Sequence, residues 1–253
     1  MTAEILANEL ICECCGINQS SAQVVVSRGN PSARFMLVGE APGAMENSIG
    51  QPFVGRSGKL LDILLKDVGI HPDRDIYICN AVKCRPPKNR RPTKDELLLS
   101  LPWLNQQIQL VDPWVIALAG STAVEAVLGL KDKISTLRGN WQSWQGRMVM
   151  PLFHPSYLLR NPSKVEGSPF SLTLEDLLKV KKRLKEFSKV KTMKMLDANI
   201  GGSLCLPLWI INWLRIWLIP LRGTTQLLVA VRQGQSWLVI SRLGVITLSE
   251  FSQ

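Results

Sequence analysis

The sequence predicts an α/β protein, a three-layer α/β/α sandwich around a mainly parallel central sheet. Short apolar runs recur at Phe35–Val38, Ile76–Cys79, Trp114–Leu118 and Met148–Phe153. Each is closed by Gly, Asn or His-Pro, the pattern of a strand buried on both faces. Stretches of helical periodicity lie between them, and strands that alternate with helices build a parallel sheet covered on both sides.

Taken in order, residues 1 to 30 read as a short helix, the cluster Cys12-Glu13-Cys14-Cys15, a strand-like Val24–Val26 and a turn at Gly29–Pro31. The first core strand, Phe35–Val38, opens into a Gly- and Pro-rich loop carrying Glu40, Glu46 and Phe53. That loop closes into a helix with Leu60, Leu61, Leu64 and Leu65 at helical spacing. Its length without predicted structure marks it as functional. The second strand ends at Asn80. Residues 85 to 92 hold three prolines and must be loop. Thr93 and Glu96 match a capping box, starting a helix to about Leu110 whose inner face is Leu97, Leu101, Leu104 and Ile108. After Trp114–Leu118 and Gly120, Ser121 is expected to cap a helix through Leu128. The last strand runs into His154. A helix from about Leu172 to Ser188, acidic first and lysine-rich last, suits the helix dipole.

The chain has 253 residues and a formal net charge of +10, which points to a polyanionic partner, nucleic acid before acidic membrane. No basic segment followed by a long apolar core opens the sequence, so the expected compartment is the cytoplasm. There the six cysteines would be thiols or metal ligands and not a disulfide frame. Composition shifts after residue 194. Residues 195–253 contain no lysine and four of the eight tryptophans, and Leu204–Leu221 is almost continuously apolar. Pro207, Arg215 and Pro220 interrupt that run and argue against a membrane span. The expected division is an α/β domain, 1–194, and a Trp-rich tail, 195–253, of unknown role and non-homologous origin.

Three strand ends collect chemistry. Neither GxGxxG nor GxxxxGK[ST] occurs, so the glycines after the first strand do not form a common phosphate cradle. Phe53 offers a face on which an extruded base can stack. Asn80 can donate and accept at once, as reading the polar edge of a base requires. A histidine such as His154 can stabilise negative charge on a carbonyl oxygen, and a carboxylate can orient water. Together they fit hydrolysis of a base from its sugar.

The segments GEAPGAMENSIGQPFVGRSGKLLD, NAVKCRPPKNRRP and HPSYLLRNP, in that order, resemble the successive motifs of the family 4 uracil-DNA glycosylases, over about residues 5 to 190. The resemblance implies that uracil-containing DNA is the partner and that a monomer leaves an abasic site. It implies that Phe53 stacks on uracil, that Asn80 selects its edge, and that His154 donates to O2 as the base leaves. Ala41 and Asn89 would border the pocket. Glu40 and Glu46 lie on the water side, one positioning water or holding the loop. Leu158, Leu159 and Arg160 would enter the duplex as a wedge. Lys83, Arg85, Lys88, Arg90 and Arg91 would meet the DNA backbone. A catalytically decayed DNA-binding relative, and a glycosylase for another deaminated base such as hypoxanthine, are the competing readings.

The same family holds a 4Fe–4S cluster on four cysteines. Cys12, Cys15 and Cys84 match three of them, and Ser100 stands at the fourth. Serine is a far poorer iron ligand than thiolate, so the expectation is a labile, three-iron or absent cluster.

Overall fold

The computed structural model describes residues 23–200 together with 217–220, 227–233, 236–241 and 244–248, with side chains described for residues 23–188. The cysteine pair Cys12 and Cys15 and most of the Leu204–Leu221 run lie outside the described residues. The chain divides into two compact units, Met1–Val190 and Lys191–Gln253.

The first unit is built on a six-stranded sheet. Its strands are β1 (Arg28–Gly29), β2 (Phe35–Gly39), β3 (Tyr77–Asn80), β4 (Val115–Ala119), β5 (Gln142–Trp144) and β6 (Arg147–Leu152). They lie in the order β1-β3-β2-β4-β6-β5. The four central strands are parallel and the two edge strands antiparallel. The expected strand at Val24–Val26 is absent. Val25 instead hydrogen-bonds from its backbone N–H to Lys83 O, and the edge strand forms at Arg28–Gly29.

Alternation along the central strands separates two apolar layers, as the pleat requires. Phe35, Leu37, Ile78, Val115 and Met150 face one side, where Leu61, Leu64 and Leu65 of α2 (Arg56–Asp67) and Leu177 and Val180 of α7 (Pro169–Ile200) cover them. Met36, Val38, Ile116, Leu118 and Val149 face the other. There they meet Leu97, Leu104 and Ile108 of α3 (Lys94–Val111) and Val124 and Val127 of α4 (Ser121–Leu128). Each of these large side chains stabilises the fold by roughly 1.5–3 kcal/mol on burial. The capping box is present: Thr93 Oγ1 accepts from Glu96 N–H and Glu96 from Thr93 N–H. Gly120, not Ser121, is the N-cap of α4. Its φ of +92° and the His154 Cβ lying 3.1 Å from where its own Cβ would stand leave room only for glycine.

The functional loop carries more structure than its sequence suggests. Ala44–Ile49 forms a short helix, α1, stopped by Gly50 in the left-handed region at φ +78°. The proline-rich segment likewise holds one 3₁₀ turn, Pro87–Asn89. Helices α5 (Ile134–Leu137) and α6 (Pro155–Arg160) complete the first unit. In the second unit the described strands β7 (Trp217–Pro220), β8 (Leu227–Gln233), β9 (Ser236–Ser241) and β10 (Gly244–Leu248) form an antiparallel sheet in sequence order.

Candidate active site

Helix α2 follows β2 on one face of the sheet and α4 follows β4 on the other, so the connections leaving these adjacent strands diverge. A crevice at such a point is where open α/β sheets bind ligands. A cleft of about 360 Å³ occupies it, lined by Glu40, Ala41, Glu46, Phe53, Asn80, Asn89, Arg90, His154, Ser156 and Arg160, among others.

Phe53 and Asn80 meet at Gly39, the last residue of β2. A Cβ on Gly39 would overlap the Phe53 ring and stand 2.5 Å from Asn80 Oδ1. Glycine is therefore what lets ring and amide sit side by side. Asn80 is 2 % exposed and paired in register with Gly39. Phe53 adopts φ +56°, a conformation costing a bulky residue roughly 1–3 kcal/mol.

Glu46 holds that strained turn in place. Its Oε1 accepts from the backbone N–H groups of Val54 (3.1 Å) and Gly55 (2.9 Å), the two residues after Phe53. Gly58 supplies the remaining clearance, since any Cβ there would collide with the Phe53 carbonyl.

Glu40 reaches across the crevice in the other direction. Its Oε2 accepts a hydrogen bond from Thr122 Oγ1 on α4, whose side chain is buried. Glu40 is thereby fixed between the diverging connections while Glu46 is committed to the loop.

His154 caps α6. The Ser156 N–H donates to His154 Nδ1 at 3.2 Å, and Ser156 Oγ lies 2.8 Å from the same atom. With Nδ1 accepting, the proton of the neutral ring sits on Nε2. Burial pushes the His154 pKa down to about 4, the Arg160 charge adds to that shift, and the Glu46 carboxylate opposes it. The imidazole is neutral at physiological pH and a donor through Nε2. Its ring centroid lies 5.9 Å from that of Phe53, tilted by 33°.

The rim is less constrained. Asn89, at φ +55°, accepts from Arg85 Nε at 2.7 Å through Oδ1. Arg90 forms a bidentate pair with Glu96 at 2.8 and 2.6 Å, and Arg91 pairs with Glu125. Two expectations are corrected here. Leu158 is 1 % exposed inside the apolar layer beside α2, so it cannot enter a duplex, whereas Leu159, Arg160 and Tyr157 of this segment are exposed. Lys83 is fully buried and cannot reach a phosphate. Thr122, Ser156 and Gly39 were not legible as site residues. Thr122 lies 82 residues from its partner, and a Gly-Ser-Thr run at a strand-to-helix junction reads as capping alone.

Among the described residues no three of His, Cys, Asp and Glu converge as a metal site. Cys84 and Ser100 are both fully buried, and the Ser100 Oγ has no hydrogen-bond partner among the described residues. A buried hydroxyl left unpaired costs about 1–3 kcal/mol. An orphaned oxygen at this position is compatible with a group held at Cys84 and Ser100.

Comparison with known proteins decides the family. The model of the uracil DNA glycosylase superfamily matches residues 26–178. The chain belongs to that superfamily, among its type-4 members. A type-4 uracil-DNA glycosylase from Thermotoga maritima is 44% identical over 177 residues, covering 69% of this chain and 90% of the relative. One from Sulfurisphaera tokodaii is 36% identical over 210 residues, 79% of this chain and 91% of the relative. A third, from Saccharolobus solfataricus, is 35% identical over 191 residues, covering 72% and 86%.

Proposed function

We propose that this protein hydrolyses the N-glycosidic bond of uracil in DNA, releasing the base and leaving an abasic site for excision repair. The observation that carries this reading is the convergence of Phe53, Asn80, His154 and Glu40 on one cleft at the ends of parallel strands. The extruded uracil stacks on Phe53 while the Asn80 amide pairs with its polar edge. As the C1′–N1 bond breaks, its electron pair stays with uracil, and negative charge on O2 is met by the N–H at His154 Nε2. A neutral imidazole suits this donor role, because no proton has to be transferred. Water then adds its oxygen to C1′ and loses one proton, which passes through solvent to the departed uracil anion, so that the products are the C1′ hydroxyl and neutral uracil. Glu40, held by Thr122, accepts a hydrogen bond from that water, and its charge stabilises the cationic sugar. Glu46 positions Phe53 and takes no part in the bond changes. Leu159 and Arg160, on the rim, fill the space the base vacates, while Ala41 and Asn89 close the pocket wall.

The protein acts as a monomer on DNA, and the body that does so ends near residue 194. The superfamily match stops at residue 178, which supports an apolar tail, 195–253, outside the catalytic machinery. Among the described residues no helix is long and apolar enough to cross a membrane.

Cys12, Cys15 and Cys84 would hold an iron–sulfur cluster that supplies structural support near α3, with Ser100 at its weakly bound corner. The test is the iron content and visible absorption of Ser100→Cys and Ser100→Ala proteins. A retained cluster that becomes more stable to oxygen in Ser100→Cys supports the ligand set. An iron-free wild type that gains about 1–3 kcal/mol in Ser100→Ala, the cost of an orphaned hydroxyl, would rule it out.

Release of uracil from a single-uracil oligonucleotide, followed by alkaline cleavage, tests the activity. DNA binding without cleavage would favour the decayed-relative reading, and cleavage at hypoxanthine in preference to uracil would move the substrate.

A further inference from the structure

We propose that Lys83 is a positioning residue for base recognition, acting through the backbone of Asn80. This rests on the cleft reading above and goes beyond it.

Lys83 is among the largest fully buried side chains of the protein. Lysine is almost never buried completely unless its ammonium is satisfied. Here Nζ donates to the backbone oxygen of Asn80 at 2.5 Å and to Gln107 Oε1. Gln107 is itself fixed, since its Nε2 donates to Val26 O (3.1 Å) and to the Tyr77 hydroxyl (3.0 Å). The ammonium is thus anchored on α3 through Gln107, and that anchor returns to β3 through Tyr77.

The clamp closes where the sheet stops providing one. Edge strand β1 pairs with β3 only at Tyr77 and Ile78. Past Asn80 the chain leaves the ladder in a turn whose N–H groups at Ala81 and Val82 donate back to Gly39 O and Glu40 O. Lys83 is part of this turn and grips the Asn80 carbonyl from inside it.

Alternation along β3 sets the geometry. Tyr77 and Cys79 face the α3 layer, and Ile78 faces the α2 layer. Asn80 therefore projects its amide to the Phe53 side, while Lys83 reaches its carbonyl from the α3 side. Lys83 does not line the cleft. Its influence on the base passes through the Asn80 peptide.

A hydrogen bond from a charged donor is worth more than a neutral one, and an amide tilted by a fraction of an ångström loses a bidentate contact. The test is single-turnover uracil excision by the full chain with Lys83→Met, Asn80→Ala and the double variant. Lys83→Met is expected to slow excision about 10- to 100-fold while DNA affinity changes less than about threefold, as misplacing an oriented recognition group dictates. In the Asn80→Ala background the same substitution is expected to cost less than about threefold, because residues acting as one unit are non-additive. Full additivity, or a wild-type rate in Lys83→Met, would overturn the inference while leaving Asn80 in its role. A wild-type rate in Asn80→Ala would instead overturn the cleft reading beneath it. Should Lys83→Met not fold, Lys83→Met with Gln107→Leu removes donor and acceptor together and serves in the same cycle.

Discussion

The floor of the cleft is buried or half-buried, and its rim is exposed. On the floor, each side chain assigned to the base or the water is held by a partner side chain or strand pairing, local for three of them and distant for Glu40. Asn80 is held by Gly39 pairing and Lys83, Phe53 by Glu46, Glu40 by Thr122, and His154 by Ser156. On the rim, Leu159 and Arg160 are exposed on the six-residue helix α6, and Asn89 is exposed on a single 3₁₀ turn. Preorganised donors accelerate a bond-breaking step because they need no rearrangement as charge develops. Under the proposed function, a rim of cations and apolar tips would find and open DNA. The floor should therefore govern kcat, and the rim affinity and its dependence on salt.

The sharpest break of this contrast is on the floor. Asn80→Ala and His154→Ala are each expected to lower the single-turnover excision rate by about 10²- to 10⁴-fold, the range for losing one oriented donor or acid–base group. DNA affinity should be nearly unchanged, which gel-shift titration would check. Loss of affinity with an intact rate would reverse the assignment of floor and rim.

Glu46 should give a smaller, mixed effect. Glu46→Ala removes the acceptor for two half-buried N–H groups, and destabilisation of about 1 kcal/mol is expected by denaturant titration. Excision should slow as Phe53 leaves its left-handed turn. Glu46→Gln keeps an acceptor oxygen and should restore most of both. A Glu46→Gln protein as slow as Glu46→Ala would place the charge itself in the chemistry.

Much of the floor could be read from the sequence because its residues follow apolar runs directly. Glu40, Asn80 and His154 each stand just beyond a strand, and strand ends are where an α/β sheet exposes its chemistry. What supports them could not be read. Thr122 and Gln107 reach partners 82 and 24 residues away, and nothing local marks either pairing. Lys83 was misread for the opposite reason. A lysine among Arg85, Lys88, Arg90 and Arg91 looks like part of a basic surface, and only the turn after β3 shows it pointing inward. Leu158 and Leu159 are equal as sequence, but the ~100° between successive helical positions sends the first into the core and the second to solvent.

On the rim, Arg160→Ala should weaken DNA binding modestly and lower the slope of log affinity against log salt by about one if Arg160 meets one phosphate. It should also raise the His154 pKa from about 4, because a positive charge beside the ring is gone. NMR titration of the imidazole in both proteins would measure this.

A further effect concerns pH and stability. The His154 pKa is depressed from 6.5 to about 4, so the folded protein binds fewer protons at this group than the unfolded chain does. Stability from this source is complete above about pH 6.5 and is withdrawn as pH falls toward 4. Denaturant melts of a His154→Phe protein should show a shallower decline over that window. An equal decline in both proteins would mean that the ring is not desolvated.

The most direct measurement is excision by the full chain on oligonucleotides carrying one uracil, thymine, cytosine or hypoxanthine, with His154→Ala and Asn80→Ala beside the wild type. The account predicts alkali-labile cleavage at uracil alone, nearly abolished in both variants while both still bind DNA. Uracil release that survives both substitutions, or no release by a wild type that binds the same DNA, would contradict it.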